Sequence, residues 1–168
     1  MDAITSLDGR FQQLTRLPAE MGQFVALQEL LISDNELTTF PESTGQLPAL
    51  LYLDASCNKL TTVPETIGQL TTLKFLDLDF NRDLAALPES IGQLSSLQTL
   101  NLRMLSLRSL PESIGQLAAL QELYVSDNKL TTLPESICQL AALKVFHAGG
   151  NVLTTLPQNI GQLRALQT

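Results

Sequence analysis

The chain has 168 residues, 44% of them hydrophobic but only 5% aromatic and none Trp, so it can bury one continuous core of aliphatic side chains. A formal net charge of −7 repels phosphate backbones and anionic lipid, which argues against nucleic-acid and membrane partners. No apolar run approaches the roughly 20 residues of a membrane-spanning helix, and the opening MDAITSLDGRF lacks the basic and apolar regions of a secretory signal.

Taken in order, the chain repeats itself. Prolines fall at Pro18, Pro41, Pro64, Pro88, Pro111, Pro134 and Pro157, a period of 23 with one extra residue between Pro64 and Pro88. A degenerate first unit places Ile4, Leu7 and Leu14 at leucine positions, Gly9 at a small core position and Gln12 at an Asn position. Six clearer units follow, with inner stretches at 27–35, 50–58, 73–81, 97–105, 120–128 and 143–151. A last return segment, 156–163, leads to Leu166 and Thr168, where the next strand is due.

Each unit carries the same physical instructions. Two leucines separated by one residue point to one side of a strand, so stacked units predict a parallel sheet with leucines inside the coil. Pro is suited to the first position of a helical turn, Glu after it to the positive end of that turn, and Gly to a left-handed terminus. Pro and Gly stand four residues apart in segments such as Pro64–Gly68, which predicts one short helical or 3₁₀ turn per unit. Asn35, Asn58, Asn81, Asn128 and Asn151 recur at one register position, as a buried structural ladder would, and not as an active site. The regularity breaks once: a residue is inserted near Asn81-Arg82-Asp83-Leu84, and Leu105 stands where the following unit expects Asn. A bulge at a binding surface and simple drift both fit that break.

The words LPESIGQL at 87–94 and 110–117, LPESICQL at 133–140, VPETIGQL at 63–70 and LPQNIGQL at 156–163 resemble the 23-residue class of leucine-rich repeats. That class includes the Ras-group repeat proteins of animals and plants and many bacterial members. The resemblance covers about the whole chain. It implies an α/β fold: a right-handed solenoid with a parallel β-sheet on the concave face and short helical or 3₁₀ turns on the convex side. It also implies protein binding. The expectation is a single domain over residues 1–168, about seven rungs, ending inside a repeat. No cap sequence and no appended domain are recognisable.

The two cysteines, Cys57 and Cys138, lie on opposite sides of the coil and at least three rungs apart, roughly 15 Å at ~4.8 Å per strand. That separation forbids a disulfide and points to a cytoplasmic protein, with a secreted bacterial effector as the alternative.

Residues between the leucines form four lateral columns on the concave face. They supply the candidate partner-binding residues Glu29, Leu31, Tyr52, Asp54, Phe75, Asp77, Asp79, Phe80, Asn101, Arg103, Met104, Tyr124 and His147. Tyr52 and Phe75 are neighbours across rungs, with Asp54, Asp77 and Asp79 alongside, a mixture of aromatic and charged groups that suits an interface core. The bland alternative is an ordinary solvated sheet face. Three carboxylates suggest Ca²⁺, but there is no D-x-D-x-D-G loop and a rigid sheet seldom offers six oxygens, so no metal is expected. His147 sits about three rungs from Asp77, some ~14 Å, too far for an acid–base pair. No catalytic residue and no cofactor are expected.

The resulting expectation is a non-catalytic module that binds a protein partner on its concave sheet. The alternative is the recognition domain of a larger enzyme, such as a bacterial effector ubiquitin ligase, a kinase or a GTPase. A third reading is self-association through uncapped ends, where Leu163, Leu166 and a free strand edge are expected to be exposed.

Overall fold

The computed structural model describes residues 3–168. Seven parallel strands lie in one sheet in chain order: β1 (Ser6–Asp8), β2 (Glu29–Leu31), β3 (Tyr52–Asp54), β4 (Phe75–Asp77), β5 (Thr99–Asn101), β6 (Glu122–Tyr124) and β7 (Val145–His147). Register follows the repeat, with Leu30, Leu53, Leu76, Leu100 and Leu123 aligned in one line across β2 to β6. All five are completely buried and belong to one core running the length of the molecule. Each contributes about 2 kcal/mol by burial, so the leucine lines hold the rungs together.

The return segments are all 3₁₀ helices among the described residues: Met21–Gln23, Glu42–Gln46, Glu65–Gln69, Glu89–Gln93, Glu112–Gln116, Glu135–Gln139 and Ile160–Gln162. Proline acts one step earlier than expected. Pro64 stands just before its helix in extended backbone (φ −68°, ψ 152°). The glutamate that follows serves the next rung: Ser90 N–H donates to Glu65 Oε2 at 3.2 Å, and Ser113 N–H to Glu89 Oε2 at 3.2 Å.

The glycines also act differently from the expectation. Gly45, Gly68, Gly92 and Gly115 are not left-handed. They are needed because rungs touch there: a Cβ on Gly68 would sit 2.5 Å from the Ser90 carbonyl oxygen. Cys138 takes the equivalent place in the sixth return segment, and the segment beyond it is helical only over Ile160–Gln162.

The asparagine ladder forms as the repeat predicts. The completely buried Asn81 accepts from Leu60 N–H at 2.9 Å and donates to the carbonyls of Ala55 (3.0 Å) and Leu78 (2.8 Å). Asn35, Asn58, Asn128 and Asn151 make the same set of bonds, Asn151 being half-buried near the chain end.

Where the ladder lacks a rung, the inserted residue replaces it. Leu84 N–H, which an Asn at position 105 would otherwise serve, donates to the Asn81 carbonyl at 3.0 Å through a turn made possible by the extra residue. Leu105 then fills the vacated place as a buried side chain, 5% exposed. The two irregularities are one compensated change.

At the C-terminal end the expected exposure is only partial. Leu163 is buried at 6% and Leu166 is 38% exposed. Phe146 N–H donates to the Thr168 carbonyl at 2.8 Å, so the free edge of β7 is already partly paired.

Candidate functional site

The strand residues flanking each central leucine stand on the concave face in two straight columns. One contains Glu29, Tyr52, Phe75 and Glu122, the other Leu31, Asp54, Asp77, Asn101, Tyr124 and His147. The Tyr52 and Phe75 rings stack with centroids 4.1 Å apart and planes 2° from parallel, held by the rung spacing. Beside them, Asp54 Oδ1 accepts from the N–H (3.1 Å) and hydroxyl (2.7 Å) of Ser56. Asp77 Oδ1 accepts from Asp79 N–H at 2.8 Å, and its Oδ2 from the Asn101 amide at 3.0 Å. Burial pushes the Asp77 carboxyl upward, with Asp54 and Asp79 adding to the push.

Towards β6 the face is different. Asp79 Oδ2 pairs with Arg103 Nη2 at 3.1 Å, and the guanidinium carbon lies 5.6 Å from the centre of the Tyr124 ring. His147 meets the other side of Tyr124 edge-on at 5.2 Å, while the Tyr124 hydroxyl donates to Glu122 at 3.1 Å. Asp79, Phe80, Arg103, Met104 and Asp127 line a depression of about 150 Å³. Asp79 and Asn101 are only 7% exposed, so within this set they brace their neighbours, and Tyr124, Arg103, Phe80 and His147 offer the reachable surface. Cys57 and Cys138 are both free thiols, each pushed upward by burial, and neither suits a nucleophile. Among the described residues no three His, Cys, Asp or Glu side chains are grouped to hold a metal ion.

Two features of this face follow from the structure and not from residue type alone. The fourth column, Phe11, Asp34, Cys57, Phe80, Met104, Asp127 and Gly150, has positive φ throughout, from 51° to 67°. Only Gly150 is free of the cost this imposes, of the order of 1–2 kcal/mol for other residues. The second feature is charge. The columns hold Asp8, Glu29, Asp34, Asp54, Asp77, Asp79, Glu122 and Asp127 against Arg10 and Arg103, with Arg82 at their rim 5.7 Å from the Phe80 ring, so this surface carries most of the net −7. That signal is present in the columns and is found by adding up their charges.

Models of known families match most of the chain: the leucine-rich repeat region over 65–129 and 89–168, and the leucine rich repeat over 25–82. No curated protein sequence matches it. Among solved structures, a leucine-rich repeat protein of Leptospira interrogans is 37% identical, covering 92% of this chain and 45% of its own, with a TM-score of 0.67. The functional domain of InlJ from Listeria monocytogenes is 25% identical over 96% of this chain and 33% of its own, with a TM-score of 0.81. The leucine-rich repeat domain of the type III effector XopL is 26% identical over 97% of this chain and 66% of its own, with a TM-score of 0.86. The chain thus spans less than two-thirds of each of these neighbours. With its repeat, sheet, asparagine ladder and family-model matches in agreement, the chain belongs to the leucine-rich repeat family.

Proposed function

We propose that the protein is a non-catalytic binding module that grips a protein partner on its concave sheet, as one domain of about seven rungs. The observation that carries this reading is the division of labour between faces. The convex words recur almost unchanged, whereas the concave columns vary and hold the stacked Tyr52–Phe75 pair, the Arg103–Tyr124 contact and most of the net charge. Scaffolds of this family generally serve protein–protein interaction, and a parallel sheet with one uncovered face is a ready platform for a partner. A cytoplasmic location goes with the two free thiols.

Affinity capture from a lysate of the source organism or its host tests it, run beside a folded variant with Phe75→Ala, Asp77→Ala and Tyr124→Ala. Loss of specific captured proteins in the variant is expected. Equal capture by both overturns the reading.

A second reading makes the chain the recognition domain of a larger enzyme, such as an effector ubiquitin ligase, a kinase or a GTPase. One observation favours it: among the solved neighbours is the leucine-rich repeat domain of a type III effector. Reading the natural coding frame past Thr168 decides between the two, because a catalytic domain encoded there makes the partner its substrate or adaptor.

A further inference from the structure

The concave face contains a completed cation site and an incomplete one. In the completed site the guanidinium of Arg103 lies over the Tyr124 ring at 5.6 Å and pairs with Asp79 at 3.1 Å. Charge, ring and carboxylate satisfy one another within the chain. Two rungs towards the N-terminus the same ingredients recur without the cation. The Tyr52–Phe75 stack stands beside Asp54 and Asp77, two residues along the same strands and so about 7 Å away. Among the described residues no cationic nitrogen lies within 4.0 Å of Glu29, Asp54 or Asp77. Arg10, on β1's side, is already held by both oxygens of Asp8, at 2.9 and 2.7 Å.

We propose that a partner protein completes this second site by laying a basic segment across β2 to β4, with an arginine side chain against the Tyr52–Phe75 stack and the Asp54–Asp77 carboxylates. The inference rests on the concave-face reading above and names the chemistry of the partner. Arginine fits better than lysine because a planar guanidinium stacks on a ring while donating a fork of N–H groups to carboxylates. The upward push on Asp77 supports the assignment: its charge is costly in the free protein, and an arriving cation relieves that cost. Charge also decides between partners. A second copy of this chain brings its own net −7 and is repelled, whereas a basic segment is steered in.

The test is fluorescence anisotropy of the protein with labelled Gly/Ser peptides carrying arginine, lysine or the uncharged isostere citrulline. The variant is Asp54→Asn with Asp77→Asn. It keeps the oxygens that accept from Ser56 N–H and Asp79 N–H and gives up the bond that Asp77 accepts from Asn101; circular dichroism checks that the fold is retained. The arginine peptide is expected to bind best, the citrulline peptide not at all, and the variant to bind arginine about tenfold more weakly. Equal affinity for wild type and variant, or equal binding of arginine and citrulline, overturns the proposal. If no peptide binds while the Phe75/Asp77/Tyr124 variant still loses its captured proteins, the basic-segment inference falls and the concave-face reading stands. If that variant keeps its captured proteins, the concave-face reading itself is the one that fails.

Discussion

The convex and concave sides of the same coil are governed by opposite requirements. On the convex side each rung must fit the next one, so glycine, small hydroxyl residues and glutamate recur in place: Gly68 lies against Ser90, and Glu65 caps the Ser90 N–H. On the concave side the backbone hydrogen bonds do the joining, and the side chains between the leucines are free to vary. Repetition therefore marks what holds the molecule together, and variation marks what is left over for a partner. A substitution on the convex side or in the ladder is a stability experiment. One on the concave side is a binding experiment.

The sharpest way to break the structural side is Asn81→Ala. It strips the amide from a fully buried site and leaves Leu60 N–H and the Ala55 and Leu78 carbonyls short of partners. A loss of about 3 kcal/mol is expected by urea denaturation. Gly68→Ala comes next, because its Cβ would press on the Ser90 carbonyl; about 2 kcal/mol of destabilisation is expected from the same measurement.

The irregular fourth and fifth rungs refine the comparison, since there the ladder itself has been rewired. Leu105→Asn alone buries an amide where Leu84 N–H is already bonded to Asn81, and costs about 2 kcal/mol. Deleting Asp83 alone removes the turn that serves that N–H. Together the two changes restore the regular pattern, so a double-mutant cycle is expected to show favourable coupling of about 1 kcal/mol or more. Strict additivity would contradict the account of a single compensated change.

On the concave side the expected stability effects are smaller and two of them run in opposite directions with pH. The folded-state pKa of Asp77 is raised, so its ionised form weighs against the fold, and that penalty is absent below the ordinary carboxylate range. Asp77→Asn removes that penalty but also the bond accepted from Asn101, so the expected signature is in the pH dependence: wild type gains Tm relative to the variant as pH falls through the raised pKa. Asp8 behaves oppositely. Its hydrogen bonds with Arg10 hold its pKa at about 2, so what the pair contributes is present at neutral pH and is lost only as pH falls from the ordinary value of 3.8 through about 2. Thermal melts of Asp8→Asn and Asp77→Asn across this range test both signs.

Register, strand positions and the asparagine ladder are legible in the sequence because each is stated seven times or nearly so, and a shift of one residue would turn every leucine outward. The reasons for proline and glycine are not legible. Their positions match a helical turn, but Pro64 acts in extended backbone before it and Gly68 acts through contact with another rung. Contacts between units separated by a full repeat leave no local trace. The same holds for the site. Its columns follow from the register, but the burial of Asp79 and Asn101 depends on how Arg103 folds over them. The positive φ of Phe80 and Met104 is set by the turn into the ladder and not by their own preferences, which run against it.

The most direct test places the two sides in one experiment: affinity capture by wild type, by a concave variant with Tyr52→Ala and Phe75→Ala, and by a convex variant with Gln69→Ala and Gln93→Ala. Both glutamines are exposed in the 3₁₀ return segments, so their truncation leaves the fold intact. The concave variant is expected to lose the specific proteins and the convex variant to keep them. Loss by the convex variant alone, with the concave one unchanged, would contradict the concave-face reading.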